Sequence, residues 1–323
     1  MMNKSTVFMF SGQGTQYYHM GKELYEHHPR FKLWMDHCDE IVSPLIHTSL
    51  IGMLYKQDNK NQLFERILYT NPALISVGFS LSRVLMEMGI KPDYVLGYSL
   101  GEITAAIVSG AISLEDGLSF SVDFARLVES SSPAGGMLAI IDSIDLMTDF
   151  PEIFEDCWLA GNNFQRNFVV AGLANNIQSL YQQLIKRQIV CQKLPVNYGF
   201  HTPLMEPLEQ LFKQHVGALN IAKGRIPVVS SLKAQIIEDI DEDHLWQLIR
   251  HSVEFEKTIN FMLEQKNLTF IDVGPSGSLA SSVKYLLPPN STSTHMEVMN
   301  QFGRNLQSLT KLKENFAVNM LKG

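Results

Sequence analysis

A chain of 323 residues with 45% apolar side chains can bury a large core, which excludes a disordered protein. Its formal net charge of −7, with no long basic run, argues against a nucleic-acid backbone or an anionic membrane as the main partner. Three widely spaced cysteines, Cys38, Cys157 and Cys191, fit neither a disulfide framework nor a zinc site, and no metal is expected. They suit a reducing cytoplasm, the expected location.

The N-terminal "MMNKSTVFMFSGQGTQ" has too short an apolar run for a signal peptide. Within it, "TVFMF" (6–10) reads as a buried strand that glycine stops. The loop "FSGQGTQ" (10–16) lacks the Lys-Ser/Thr of a phosphate loop and the third glycine of a dinucleotide fingerprint. Its alternative use is a backbone amide, that of Gln13, aimed at developing negative charge. "ALISVGFSLSRVLMEMGI" (73–90) comes nearest to a membrane span, but Arg83 and Glu87 interrupt it, so it reads as a buried amphipathic helix. "YVLG" (94–97) is a second strand, and "LGEITAAIVSG" (100–110) continues as a helix that Gly110 closes. "SLEDGLSFSVDFARLVESS" (113–131) is a helix with Ser113 as its cap.

Residues 134–200 differ in pattern. "GGMLAIID" is a strand, "CWLAGNN" and "NFVVAG" a strand pair, "NIQSLYQQLIKRQ" a helix and "IVCQKLPV" another strand. This β, ββ, α, β series approaches a split-βαβ subdomain. It would be inserted in a larger α/β domain, 1–133 and 201–323, with a site in the cleft between them. "IPVVSSL" (226–232) and "LTFIDVG" (268–274) add buried strands to that domain, and strands alternating with helices predict a mostly parallel sheet. "RNLQSLTKLKENFAVNMLKG" (304–323) reads as an amphipathic helix that docks back or touches a partner.

Chemistry concentrates at Ser99. Gly-x-Ser-x-Gly also occurs in plain turns, but here a strand precedes it and a helix follows. Such a turn lifts Oγ above the sheet and points the next amide, that of Leu100, at an oxyanion. A serine hydroxyl needs a base. Of ten histidines, His19, His27, His28, His37 and His47 lie in the polar N-terminal third and suit surface or core roles. His201, in "NYGFHTPLMEPL", sits in a turn just past the inserted segment, where a side chain can face the cleft. By itself it also fits a structural histidine.

"FSGQGTQ", "GYSLGE", "GNNF…VVAG", "FHTPLM" and "DVGPSGSL" occur in order over about residues 6 to 290. Together they resemble the malonyl-CoA:acyl carrier protein transacylase family, including the trans-acting acyltransferases of polyketide synthases. The resemblance implies a hydrolase-like parallel-sheet α/β core with an inserted ferredoxin-like subdomain. It implies Ser99 as nucleophile, His201 as general base, and the amides of Gln13 and Leu100 as oxyanion hole. Asn163 falls in the loop near the substrate, and Phe200 in the pocket beside His201. The family's histidine leans on backbone carbonyls, here in "HSVEF" (251–255). No cofactor is implied beyond the phosphopantetheine that carries the substrate on an acyl carrier protein. Lys186, Arg187 and Lys193 are candidates for steering that acidic partner.

The pattern also breaks. Members that use malonyl units carry an arginine in the helix after the nucleophile, which holds the free carboxylate. A gapless alignment puts Phe124 there, and Arg126, two residues on, should face elsewhere on the helix. The usual histidine before the nucleophile is Tyr98, and the usual glutamine in "TQPA" is Asn71 in "TNPA"; the resemblance puts both in the substrate pocket with Phe124. These departures resemble the acyl hydrolases of polyketide synthase clusters, which clear stalled acyl groups from carrier proteins. Malonyl or acetyl transfer and a non-catalytic carrier-binding subunit are the alternatives.

Overall fold

The computed structural model describes residues 4–56, 62–216, 219–265 and 267–320. Its strands are β1 (Ser5–Phe10), β2 (Tyr94–Gly97), β3 (Gly135–Ile140), β4 (Cys157–Phe164), β5 (Asn167–Leu173), β6 (Cys191–Lys193), β7 (Val228–Ser230), β8 (Gln235–Ile237), β9 (Val253–Glu254), β10 (Leu268–Asp272) and β11 (Thr294–Glu297). They form two sheets, ordered β11-β10-β1-β2-β7-β8 and β6-β3-β5-β4-β9.

The larger sheet is parallel except for β8, which pairs antiparallel with β7. Strand β1 lies between β10 and β2, which explains its near-continuous apolar sequence. Successive side chains point to opposite faces, so Phe8 and Phe10 enter one core cluster and Val7 and Met9 another. The first cluster includes the helices Pro29–Ile46, Ile67–Glu87 and Leu114–Ser131; the second includes Phe255–Gln265. Ile67–Glu87 is buried along nearly its whole length, as its sequence predicts. In chain order, β3 to β6 take the spatial order fourth, first, third, second, which is the ferredoxin-like arrangement.

The structure corrects that segment in one respect. The short helix Leu146–Asp149 and the 3-10 turn Pro151–Ile153 connect β3 to β4. They are too short to give a periodic pattern, so the sequence shows only one helix there. A fifth strand, β9, comes from beyond residue 200 and pairs parallel with β4. The C-terminal helix, Asn305–Met320, buries Leu309 and Leu312 in the core, and the amide of Asn305 donates to the Glu23 carboxylate at 2.6 Å. Residues 321–323, the end of the predicted helix, lie outside the described residues. Among the described residues no helix is long and apolar enough to cross a membrane.

Candidate active site

Strand β2 runs into a tight turn. The amide of Tyr98 donates to the Phe10 carbonyl at 2.9 Å, and Ser99 takes φ 53, in the left-handed region. The helix Gly101–Ser109 follows at once. A Cβ at Gly101 would lie 1.9 Å from the Phe10 carbonyl oxygen, so only glycine lets the helix start that close to β1. A Cβ at Gly12 would lie 2.5 Å from the Tyr98 carbonyl oxygen, so the loop after β1 also packs against the turn. Among the described residues neither the Gln13 nor the Leu100 amide donates a hydrogen bond within the protein, and both residues line a cavity beside Ser99.

His201 is also left-handed, at φ 64, and its amide donates to the Ile249 carbonyl at 2.8 Å. Its Nε2 lies 2.8 Å from Ser99 Oγ and its Nδ1 2.8 Å from the His251 carbonyl oxygen. A carbonyl only accepts, so Nδ1 carries the proton and Nε2 is left to accept from the serine hydroxyl. Burial lowers the His201 pKa to about 4; the nearby carbonyls of His251 and Leu248 oppose the shift. Among the described residues no carboxylate hydrogen-bonds His201. This arrangement can take a proton from Ser99 and return it to a leaving group.

The cavity beside this pair measures about 60 Å³, and no lysine, arginine, aspartate or glutamate lines it. Phe124 lines it, with its ring 6.1 Å from Phe200, which also lines it, and 5.6 Å from Phe212. Arg126 is turned away: Nη1 meets Asp123 at 3.1 Å and Nη2 donates to the Leu45 carbonyl. Tyr98 lines the cavity and packs against Phe255 at 5.7 Å, and its hydroxyl closely approaches Gly161 of β4. Asn71 is fully buried and does not line the cavity; its Oδ1 accepts from the Gln13 side chain. Asn163 does not line it either, and bonds Asn167 across the β4–β5 hairpin at 2.6 Å.

Several other lining residues carry no signal in the sequence. Met137, Val169 and Leu194 come from the smaller sheet and its edge, and Leu245, Leu248 and Ile249 from the helix Glu242–Arg250. They are plain aliphatic residues that only the fold brings to one place. Lys186, Arg187 and Lys193 are exposed on the smaller subdomain. Lys193 bonds Gln178, and Arg187 lies 4.0 Å from Glu152. No cluster of three or more potential metal ligands occurs among the described residues.

Comparison with known proteins decides the family. The acyl transferase domain matches residues 7–323. The chain belongs to the acyl transferase domain family. The chain is 38% identical over 313 residues to the polyketide biosynthesis acyltransferase homolog PksD of Bacillus subtilis (strain 168), covering 97% of each chain. It is 31% identical over 294 residues to the malonyl CoA-acyl carrier protein transacylase of the same organism, covering 86% of this chain and 89% of that one. Among solved structures it resembles a loading acyltransferase from the avermectin modular polyketide synthase, with a TM-score of 0.87 and 25% identity. That match covers 99% of this chain and 100% of the other. The α/β class expected from the sequence is therefore that of its structural relatives.

Proposed function

We propose that this acyltransferase homologue is an acyl hydrolase that removes non-malonyl acyl groups from the phosphopantetheine arms of polyketide synthase acyl carrier proteins. The observation that carries the reading is the uncharged cavity, with Phe124 in its wall and Arg126 bonded to Asp123 and Leu45 instead. A carboxylate buried there without a partner costs several kcal/mol. A neutral acyl chain instead gains contact with the rings of Phe124 and Phe200.

In the proposed mechanism, Ser99 Oγ attacks the thioester carbonyl while His201 Nε2 takes the hydroxyl proton. The Gln13 and Leu100 amides stabilise the tetrahedral oxyanion, and Tyr98 forms part of the acyl wall. The C–S bond breaks and the proton goes to the pantetheine sulfur. Water then attacks the acyl-serine; His201 takes its proton and returns it to Ser99 Oγ, releasing a carboxylic acid. No cofactor takes part beyond the carrier's own phosphopantetheine, and the reaction is placed in the cytoplasm. Asn71 acts behind the site by holding the Gln13 side chain, and Asn163 shapes the β4–β5 rim of the cleft. Lys186, Arg187 and Lys193 are offered as the surface that steers the acidic carrier.

Transfer of a neutral acyl group to a second carrier is the second reading, and the similarity to named acyltransferases favours it. The test supplies acetyl-, butyryl- and malonyl-loaded carrier proteins, each with and without an empty carrier. The hydrolase reading expects free acid from the neutral substrates, lost on Ser99→Ala, and malonyl turnover at least tenfold slower. Stable malonyl transfer to the empty carrier sinks it; acetyl transfer in preference to acid release establishes the second reading.

A further inference from the structure

A buried carboxylate–imidazole hydrogen bond outside the reacting atoms links the two halves of the Ser99–His201 pair. Glu102, three residues past Ser99, is 2% exposed. Its Oε1 accepts from the Ser231 amide at 2.7 Å, the Ser231 hydroxyl at 3.0 Å and the Ser230 hydroxyl at 3.2 Å. Its Oε2 meets His244 Nε2 at 2.9 Å. His244 is also 2% exposed, and its Nδ1 has no partner among the described residues. A carboxylate only accepts, so Nε2–H of His244 donates to Glu102.

His244 stands in the first turn of the helix Glu242–Arg250, which Asp241 caps by accepting the His244 amide at 2.7 Å. Five residues on, the Ile249 carbonyl takes the His201 amide, and two further on the His251 carbonyl takes His201 Nδ1. The other end of the helix is tied as well: Arg250 Nη2 meets Glu206, in the turn that follows His201, at 2.7 Å. The same helix supplies Leu245, Leu248 and Ile249 to the cavity wall. Glu102 also reaches the smaller sheet, because the Ser231 carbonyl takes the amide of Glu254 in β9 at 2.7 Å. One carboxylate in the helix that follows Ser99 thus bonds the start of the helix whose far end carries the two carbonyls that His201 bonds. Neither Glu102 nor His244 lines the cavity.

We propose that Glu102 and His244 are positioning residues, whose buried hydrogen bond sets the separation and alignment of Ser99 and His201 without touching substrate. The inference rests on the proposed role of that pair in acyl-serine formation. Breaking a buried hydrogen bond leaves a polar partner unsatisfied, and the helix then settles elsewhere. A displacement of about 1 Å at a reacting pair is enough for roughly a hundredfold loss of rate.

The test compares His244→Leu, His244→Gln and His244→Asn with the wild type in the full chain. A glutamine amide reproduces the Nε2–H donor, and an asparagine amide falls short of it. For His244→Leu and His244→Asn, kcat for acyl release from an acetyl-loaded carrier should fall ten- to a hundredfold with KM within twofold. His244→Gln should stay within about threefold of wild type. Proton NMR titration of the His201 ring, assigned against His201→Asn, is read in parallel. The titratable group that acts on the ring is His251, and the cavity beside it is lined by Tyr98 and by apolar side chains from the neighbouring helices and the smaller sheet. Loosening the helix admits water, so the His201 midpoint should rise by about one unit in the leucine and asparagine variants and stay put in the glutamine variant.

Equal behaviour of the glutamine and asparagine variants overturns the proposal, as does a folded leucine variant with unchanged kcat and His201 midpoint. If the leucine variant does not fold, the glutamine–asparagine comparison decides. If the wild type forms no acyl-Ser99, the catalytic reading fails on its own. The NMR comparison then still decides whether His244 positions His201.

Discussion

At the scale of single residues, the site separates proton chemistry from substrate recognition. His201 leans on a backbone carbonyl, not a carboxylate, and its pKa is lowered to about 4 by burial. The neutral ring is the form that accepts a proton from Ser99, so activity should persist as pH falls through the usual imidazole range near 6.5. It should be lost as pH falls through about 4. A kcat/KM profile on an acetyl thioester checks this, and an acid limb near 6.5 contradicts it. Recognition is a matter of Phe124. Phe124→Arg puts a guanidinium in the cavity wall, so malonyl turnover should rise at least tenfold and acetyl turnover fall, measured on loaded carriers. A variant that folds and still discriminates against malonyl shows that another residue excludes the carboxylate.

At the scale of elements, the turn from β2 into the helix Gly101–Ser109 controls where Ser99 points. Gly101→Ala should cost at least a hundredfold in kcat, because its Cβ meets the Phe10 carbonyl at 1.9 Å and the helix has to move off β1. Acylation of Ser99, followed by intact-protein mass spectrometry, measures the loss; a fully acylating variant refutes it. Much at this scale was legible in the sequence. "YVLG" marks β2 to the residue, because a buried parallel strand is a short apolar run between breakers. Ser113 caps its helix by accepting the Asp116 amide at 3.0 Å, a local interaction that a local pattern reveals. The register of that helix also told Phe124 from Arg126, since two residues turn a helix about 200°. The connection between β3 and β4 was not legible, because four helical residues are too few for a period to show.

At the scale of the whole molecule, the cavity belongs to no single layer. The larger sheet supplies Ser99, helices on its flank supply Phe120, Phe124 and Leu245, and the smaller sheet supplies Met137 and Val169. Strand β9 adds to the edge of the smaller sheet from a segment of the larger domain, so the two sheets are stitched along the cleft. Met137→Trp should therefore fill the cavity of about 60 Å³ from the far side. We expect acylation of Ser99 at least tenfold slower, with the Ser99–His201 pair itself unaltered. Unchanged acylation by a folded variant shows that the acyl group lies elsewhere.

The sequence by itself determined β1, β2, the helix that Ser113 caps, the Ser99 turn and the position of Phe124 on its helix, because each rests on interactions within a few residues. It also carried the family, through five short motifs in order. Only the tertiary structure decided that His201 meets Ser99 at 2.8 Å across 102 positions, and that Glu102 meets His244 across 142. It alone gathered the aliphatic walls of the cavity and turned Arg126 toward Leu45. Those facts depend on packing between distant segments, and aliphatic side chains carry no mark in the sequence of which neighbours they will find.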